Sequence, residues 1–173
     1  MKNFKEINRA LVAKKNKINL YSVFCILSVL TVLFAGCKDK NAPETFNGNV
    51  AAPTWTAPQA SDMTSSMTAV VKVDLKVQYP DQAADWQRSD NDRLAAFSGE
   101  TCIGVGSWIE EAGVYNLYIA APTANANANA VTLRYYSAHY KNLFEASDAF
   151  VFHKDDRLGT PDNPLVPTFV VVK

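Results

Sequence analysis

The chain has 173 residues, with 17 Lys+Arg against 17 Asp+Glu, 48% hydrophobic and 11% aromatic residues. That size and composition suit one ordinary globular domain and exclude collagen-like, disordered and multi-span membrane classes. The charge is unevenly spread: residues 1–36 hold six of the basic groups and one of the acids, leaving eleven basic against sixteen acidic groups in the rest, so the basic footprint that nucleic acid requires of a partner is missing.

Residues 1–17 are basic, and Ile18 to Ala35 is an almost unbroken apolar run of 18 residues. This is the charged and hydrophobic layout of an export signal, and its length lies at the lower edge of what spans a bilayer. Its end decides between the two. Leu33-Phe34-Ala35-Gly36-Cys37 resembles the lipobox of bacterial lipoproteins, with Phe34 where the family usually has Leu. The resemblance implies a signal peptide over residues 1–36 and a Cys37 that carries lipid, palmitate among its chains, as the new N-terminus. Two or three acyl chains hold a protein to a bilayer almost irreversibly. Cys102 is then the only free thiol of the mature chain, and stability rests on a packed core with no internal disulfide.

Residues 38–67 are rich in Pro, Ala, Ser, Thr, Asn and Asp without a sustained period, which reads as linker. The expected organisation is a flexible tether over 37–52 and a domain over 53–173, with Trp55 pinned to the domain surface because an indole in a solvated tether would be wasted. Val71, Val73, Leu75, Val77 and Tyr79 alternate with polar residues up to Pro80, predicting a half-buried strand over 71–79. A polar loop over 81–92 follows, with Trp86 in its middle. Strands are predicted over 93–98 and 101–108 around a Gly99-Glu100 turn, then over 114–120, 131–138, 142–146, 149–153 and 165–172. The Asn-Ala alternation within 122–130 reads as a connector. Many short strands without intervening helices predict an all-β domain, an antiparallel two-sheet β-sandwich of about seven to eight strands after an N-terminal signal helix, with a closed β-barrel as the alternative.

The stretches SDNDRLAAFSGETCIGVG (89–106), VYNLYIA and VTLRYYSAHYKNLFEASDAFVFHKDDRLGT (131–160) resemble a small module of envelope lipoproteins and secreted proteins in Bacteroidota, through an AAF-x-G-x-x-C-x-G-V hairpin, an LRYYSA strand and a DDRLGT loop. The resemblance covers residues 68–172. Ile103 stands where many members carry Arg. The resemblance implies a β-sandwich and an envelope location and is silent on mechanism; the location expected is the outer membrane, on its periplasmic or its surface face.

No His or Cys pair has metal-ligand spacing, no G-x-S-x-G elbow is present, and Gly104-Val105-Gly106 lacks the third glycine and the helix of a dinucleotide site. Those glycines are expected to admit close packing instead. Ser137 and His139 share a face of their strand but lack an oriented acid in the sequence. Loop carboxylates Asp90, Asp92, Asp155 and Asp156 are mostly turn formers, and calcium is the cation they would hold if two loops converged. Cys102 reads as a small core hydrophobe. The residues best suited to contact a ligand are Trp86, Trp108, Tyr136 and Tyr140, because aromatic faces at the loop ends of a sandwich stack on sugars or on protein. The expectation is a non-enzymatic, lipid-anchored envelope module that binds a glycan or a protein in adhesion. The alternative is a structural component that assembles through its sheet edges.

Overall fold

The computed structural model describes residues 46–59, 61, 63–121 and 130–172. The expected signal peptide, Cys37 and the Asn-Ala run over 122–129 lie outside the described residues. Among the described residues, no helix is long and apolar enough to cross a membrane.

The described residues form nine strands: β1 (Ser65–Val71), β2 (Arg93–Ser98), β3 (Thr101–Ile109), β4 (Val114–Ala121), β5 (Ala130–Ser137), β6 (Asn142–Ala146), β7 (Phe150–Val151), β8 (Arg157–Leu158) and β9 (Phe169–Val171). A single helical turn, α1 (Leu75–Gln78), follows β1. The strands run in the order β8-β1-β4-β3-β2-β5-β6-β9, with β7 beside β5. All strand pairs are antiparallel except β1 with β8. The domain is therefore all-β, as the alternation predicts. In place of two separate antiparallel sheets there is one mixed sheet curled into a half-barrel, intermediate between the expected sandwich and the alternative barrel.

The corner is made in β3. Its first half pairs with β2, up to Val105 opposite Ala95, and its second half pairs with β4, from Gly106 opposite Leu117. A Cβ on Gly104 would meet Tyr118 O at 2.6 Å, and one on Gly106 would meet Leu94 O at 3.2 Å. The two glycines thus let β4 and β2 close in from opposite sides, and the register shift between Ala96 and Phe97 adds a bulge that sharpens the bend. The β2–β3 hairpin turns on Gly99, whose φ of 58° at the first central position suits a two-residue type II′ loop.

The concave face fills with every second residue: Met67, Ala69 and Val71 of β1, Leu94 and Ala96 of β2, Leu117 and Ile119 of β4, Leu133 and Tyr135 of β5, Phe144 of β6 and Phe169 of β9. The convex face of β2 and β5 is covered by the chain's own N-terminal segment. Trp55 meets Phe97 edge-on at 5.5 Å, and Val50 O accepts from Tyr136 Oη. Packing reaches upstream of Pro53 to Phe46, which contacts Tyr79, Tyr140 and Phe144. Gly48 N donates to Tyr140 O and Val50 N to Lys141 O, tying residues 46–50 to the β5–β6 turn.

The strand expected over 71–79 is not formed. β1 lies at Ser65–Val71, starting inside the stretch over 38–67 that composition marks as linker, and the chain leaves the sheet after Val71. Asp74 is the reason: its carboxylate accepts from Val77 N and caps α1, an alternative to a ladder that short acidic side chains regularly provide. Val73 and Leu75 still reach the core, whereas Val77 is 77% exposed. Pro80 follows the turn, where helix cannot continue.

Neither β1 nor β9 is left bare at its end of the sheet: the short β8 and its flanking residues cover β1, and residues of and just after α1 cover β9. Along β1, Asp155 N, Asp156 O and Leu165 N and O engage Ser66, Thr68, Val70 and Lys72. At β9, the Gln78 amide bridges Pro167 O and Phe169 N, and Tyr79 Oη donates to Phe169 O. Side chains from α1 occupy the place of a further strand, the usual defence of an exposed edge.

Candidate functional site

The loop that precedes β2 and the turn between β5 and β6 meet at one end of the sheet. Between them is an open cleft of about 530 Å³ lined by Gln87, Arg88, Ser89, Asp90, Asn91, Ala138 and His139. Its lining is polar, unlike the apolar half-barrel interior beneath it.

Asp92 holds this end together. It is 4% exposed, one of two buried polar residues in the described domain. Its carboxylate accepts from Tyr135 Oη at 2.5 Å, Ser89 N at 3.0 Å and Ala138 N at 2.8 Å. A buried carboxylate requires such donors, and here they come from the loop, the core and the β5–β6 turn, so one side chain fixes both walls of the cleft. Burial, reinforced by the Asp92 charge, raises the Tyr135 phenol well above its ordinary value and keeps it a donor.

Asp85 makes a second tie. Its carboxylate accepts from Tyr140 Oη at 2.6 Å and lies 3.2 Å from His139 Nε2. These two contacts, Tyr140 foremost, hold the Asp85 carboxyl below its ordinary range. The acid that the sequence does not reveal beside His139 is thus Asp85, yet Ser137 is fully buried and its Oγ accepts from Tyr140 N. The serine caps a turn and is occupied.

Arg88 forms the third part. Its guanidinium sits 4.3 Å over the Trp108 ring, pairs with Asp90 at 2.5 Å and donates to Ser89 O. Trp108 in turn meets Tyr115 edge-on at 5.0 Å. Below this stack lie buried polar atoms without a hydrogen-bond partner: Trp86 Nε1, Trp108 Nε1 and Tyr115 Oη. Trp86 Nε1 faces Tyr135, and Tyr115 Oη faces Arg88, both outside full hydrogen-bond geometry. Burial pushes the Tyr115 phenol up to about 12.

Of the four aromatic residues expected to contact a ligand, Tyr136 and Tyr140 are 4% and 5% exposed and present no free ring face. Tyr136 closes the convex side, and Tyr140 belongs to the core and the Asp85 tie. Trp86 and Trp108 are half-buried and packed against the core; Trp108 adjoins the cleft through Arg88, while the Trp86 indole nitrogen is sealed inside. The calcium set is not brought together. Asp90 and Asp92 precede β2, Asp155 and Asp156 precede β8, and β1, β4 and β3 lie between those strands in the sheet. Asp92 is committed to its three donors and Asp90 to Arg88. Among the described residues no cluster of three or more His, Cys, Asp or Glu is placed to hold a metal ion. Cys102 is half-buried, and burial pushes its thiol up, away from reactivity.

The residues that build the cleft without a signal of their own are Asp85, Arg88 and the Asp92 hub. Only the Ser89-x-x-Asp92 spacing hints at the hub, since Asp92 N also donates to Ser89 O, closing a reciprocal turn. Comparison of the chain with protein-family models, curated proteins and solved structures finds no match.

Proposed function

We propose that this protein is a lipid-anchored module of a bacterial outer membrane, non-enzymatic, which binds a glycan in the cleft between the β2-preceding loop and the β5–β6 turn. The observation that carries the reading is the cleft itself: amide, hydroxyl and imidazole groups converge on an open space whose walls are fixed by the buried Asp92. Preorganised hydrogen-bonding groups beside an indole are the arrangement that orients a sugar ring at low entropic cost. Arg88, Asp85 and Asp92 already have partners of opposite polarity, which favours a neutral, hydroxyl-rich ligand over an ionic one. The anchor rests on the Cys37 lipobox, and the capped edges at β1 and β9 weigh against assembly by strand addition.

Two measurements test this. Metabolic labelling with a palmitate analogue is expected to mark the wild type and not Cys37→Ala; an unlabelled wild type that retains its full signal in the membrane would mean an ordinary transmembrane anchor. A panel of immobilised neutral and acidic oligosaccharides is expected to retain the purified chain through neutral members, with Asn91→Ala and Gln87→Ala losing affinity at unchanged melting temperature. Retention that survives both substitutions would move the site away from this cleft.

A further inference from the structure

The cleft has a wall that is also a cover. Trp108 borders the cleft through Arg88, which lines it and whose guanidinium occupies one face of the indole at 4.3 Å. The contacts that hold Arg88 there are a cation–π stack, a salt bridge to an Asp90 carboxylate that is 95% exposed, a bond to the neighbouring Ser89 O, and the off-geometry approach to Tyr115 Oη. The Asp90 pair is weak because its carboxylate is exposed, and a single cation–π contact is modest, so a ligand that takes the ring face can displace the guanidinium although the Arg88 side chain is only 21% exposed. Beside it Trp108 Nε1 is buried without a hydrogen-bond partner, and the hydroxyl of Tyr115, a residue only 3% exposed, has just the off-geometry approach to Arg88. Under-satisfied buried donors are costly and uncommon, so oxygen acceptors that replace the guanidinium would gain hydrogen bonds there.

We propose that the Trp108 ring is the sugar-stacking platform of this cleft and that Arg88 is its cover, so that a neutral pyranose binds only after the guanidinium has swung off the indole. The proposal rests on the glycan-binding reading and adds to it which ring takes the sugar and what regulates access. The guanidinium and the sugar compete for one face. A competing internal contact lowers apparent affinity by the fraction of molecules that are covered, and removing it raises affinity by the same factor.

The test measures binding of the full chain, purified in detergent, to immobilised neutral hexasaccharides of glucose, galactose, mannose and xylose. Arg88→Ala is expected to bind about three- to fivefold tighter than the wild type, Trp108→Leu to lose at least about tenfold, and Trp108→Phe to retain most of the binding because a ring remains. In the Arg88→Ala protein, the bound hexasaccharide is expected to protect tryptophan fluorescence from acrylamide, and this protection is expected to vanish in Arg88→Ala/Trp108→Phe. Weaker binding by Arg88→Ala would make Arg88 a direct contact and overturn the cover. Wild-type binding insensitive to Arg88→Ala overturns the cover as well and leaves the cleft reading standing. If Trp108→Leu fails to fold, the Arg88→Ala affinity and the acrylamide comparison decide alone. Absence of binding by both wild type and Arg88→Ala across the panel overturns the glycan reading and the cover together.

Discussion

Replacing Asp92 by Ala removes the group on which three parts of the domain converge. Tyr135 is fully buried, so its hydroxyl is left without partner or water, at a cost of about 1–3 kcal/mol. The amides of Ser89 and Ala138 are part-buried and recover water, each losing about 0.5–1.5 kcal/mol. The sum is about 2–6 kcal/mol, a large share of the roughly 5–15 kcal/mol that holds a domain together, and corresponds to a drop of about 6–25 °C in melting temperature. Urea unfolding of Asp92→Ala, Tyr135→Phe and the double variant measures this by linear extrapolation. Tyr135→Phe alone is expected to cost about 1 kcal/mol, since the carboxylate keeps its two amide donors. In the double variant no hydroxyl is stranded, so it is expected to be more stable than the two single effects added together. Asp90→Ala, which removes only an exposed ion pair, is expected to change stability by less than about 1 kcal/mol. An Asp92→Ala protein within 1 kcal/mol of the wild type, or strict additivity with Tyr135→Phe, would refute the hub.

Three further outcomes follow from particular residues. Leu75→Asp places an unpaired charge in the core and is expected to unfold the domain, whereas Val77→Asp, at a position 77% exposed, is expected to be nearly neutral in thermal melts; equal damage from both would restore the strand over 71–79. A Cβ on Gly48 would meet Asn142 Oδ1 at 1.6 Å and Lys141 O at 2.2 Å, so Gly48→Ala is expected to lift the N-terminal segment and make residues 46–59 sensitive to limited proteolysis, and unchanged protection would contradict the contact. Burial raises the phenols of Tyr115, to about 12, and of Tyr135 and Tyr140. Against an unfolded value of about 10, their contribution to stability is intact below pH 10 and is lost as pH rises through the folded values. Absorbance at 295 nm is expected to show these tyrosines ionising only together with alkaline unfolding; ordinary titration of every tyrosine in the native protein would contradict their burial.

Much of the sheet is legible in the sequence because alternation and turn residues agree there. β2 and β6 lie at the expected residues, and the Gly99 turn between β2 and β3 carries the one residue type its positive φ favours. β1 escapes because its inward residues, Met67, Ala69 and Val71, include a small Ala, and the apolar Val70 between the last two breaks the apolar–polar alternation, a weaker signal than the regular alternation just after it. That later alternation misleads because a single Asp74 cap outweighs five matching positions once the sheet has no place for the chain. The curl is invisible for a related reason: it depends on which neighbour each half of β3 chooses, and alternation is the same for both. At the site, Trp86 and Trp108 stand out as aromatic residues among polar ones, yet the partners that give the cleft its shape are 43 residues apart for Asp92 and Tyr135 and 55 apart for Asp85 and Tyr140. No local pattern encodes such pairs.

The central claim is that ligand contacts gather at one end of the half-barrel. Its most direct test is the map of amide and indole shifts in the 15N-labelled chain titrated with whichever neutral hexasaccharide the panel retains. The account predicts perturbations confined to residues 87–91, Ala138, His139 and the Trp108 indole N–H, with the Trp55 indole and the exposed Tyr118 of β4 unmoved. Perturbations centred on Tyr118, on the β9 edge or on the Trp55 face, with residues 87–91 silent, would contradict it.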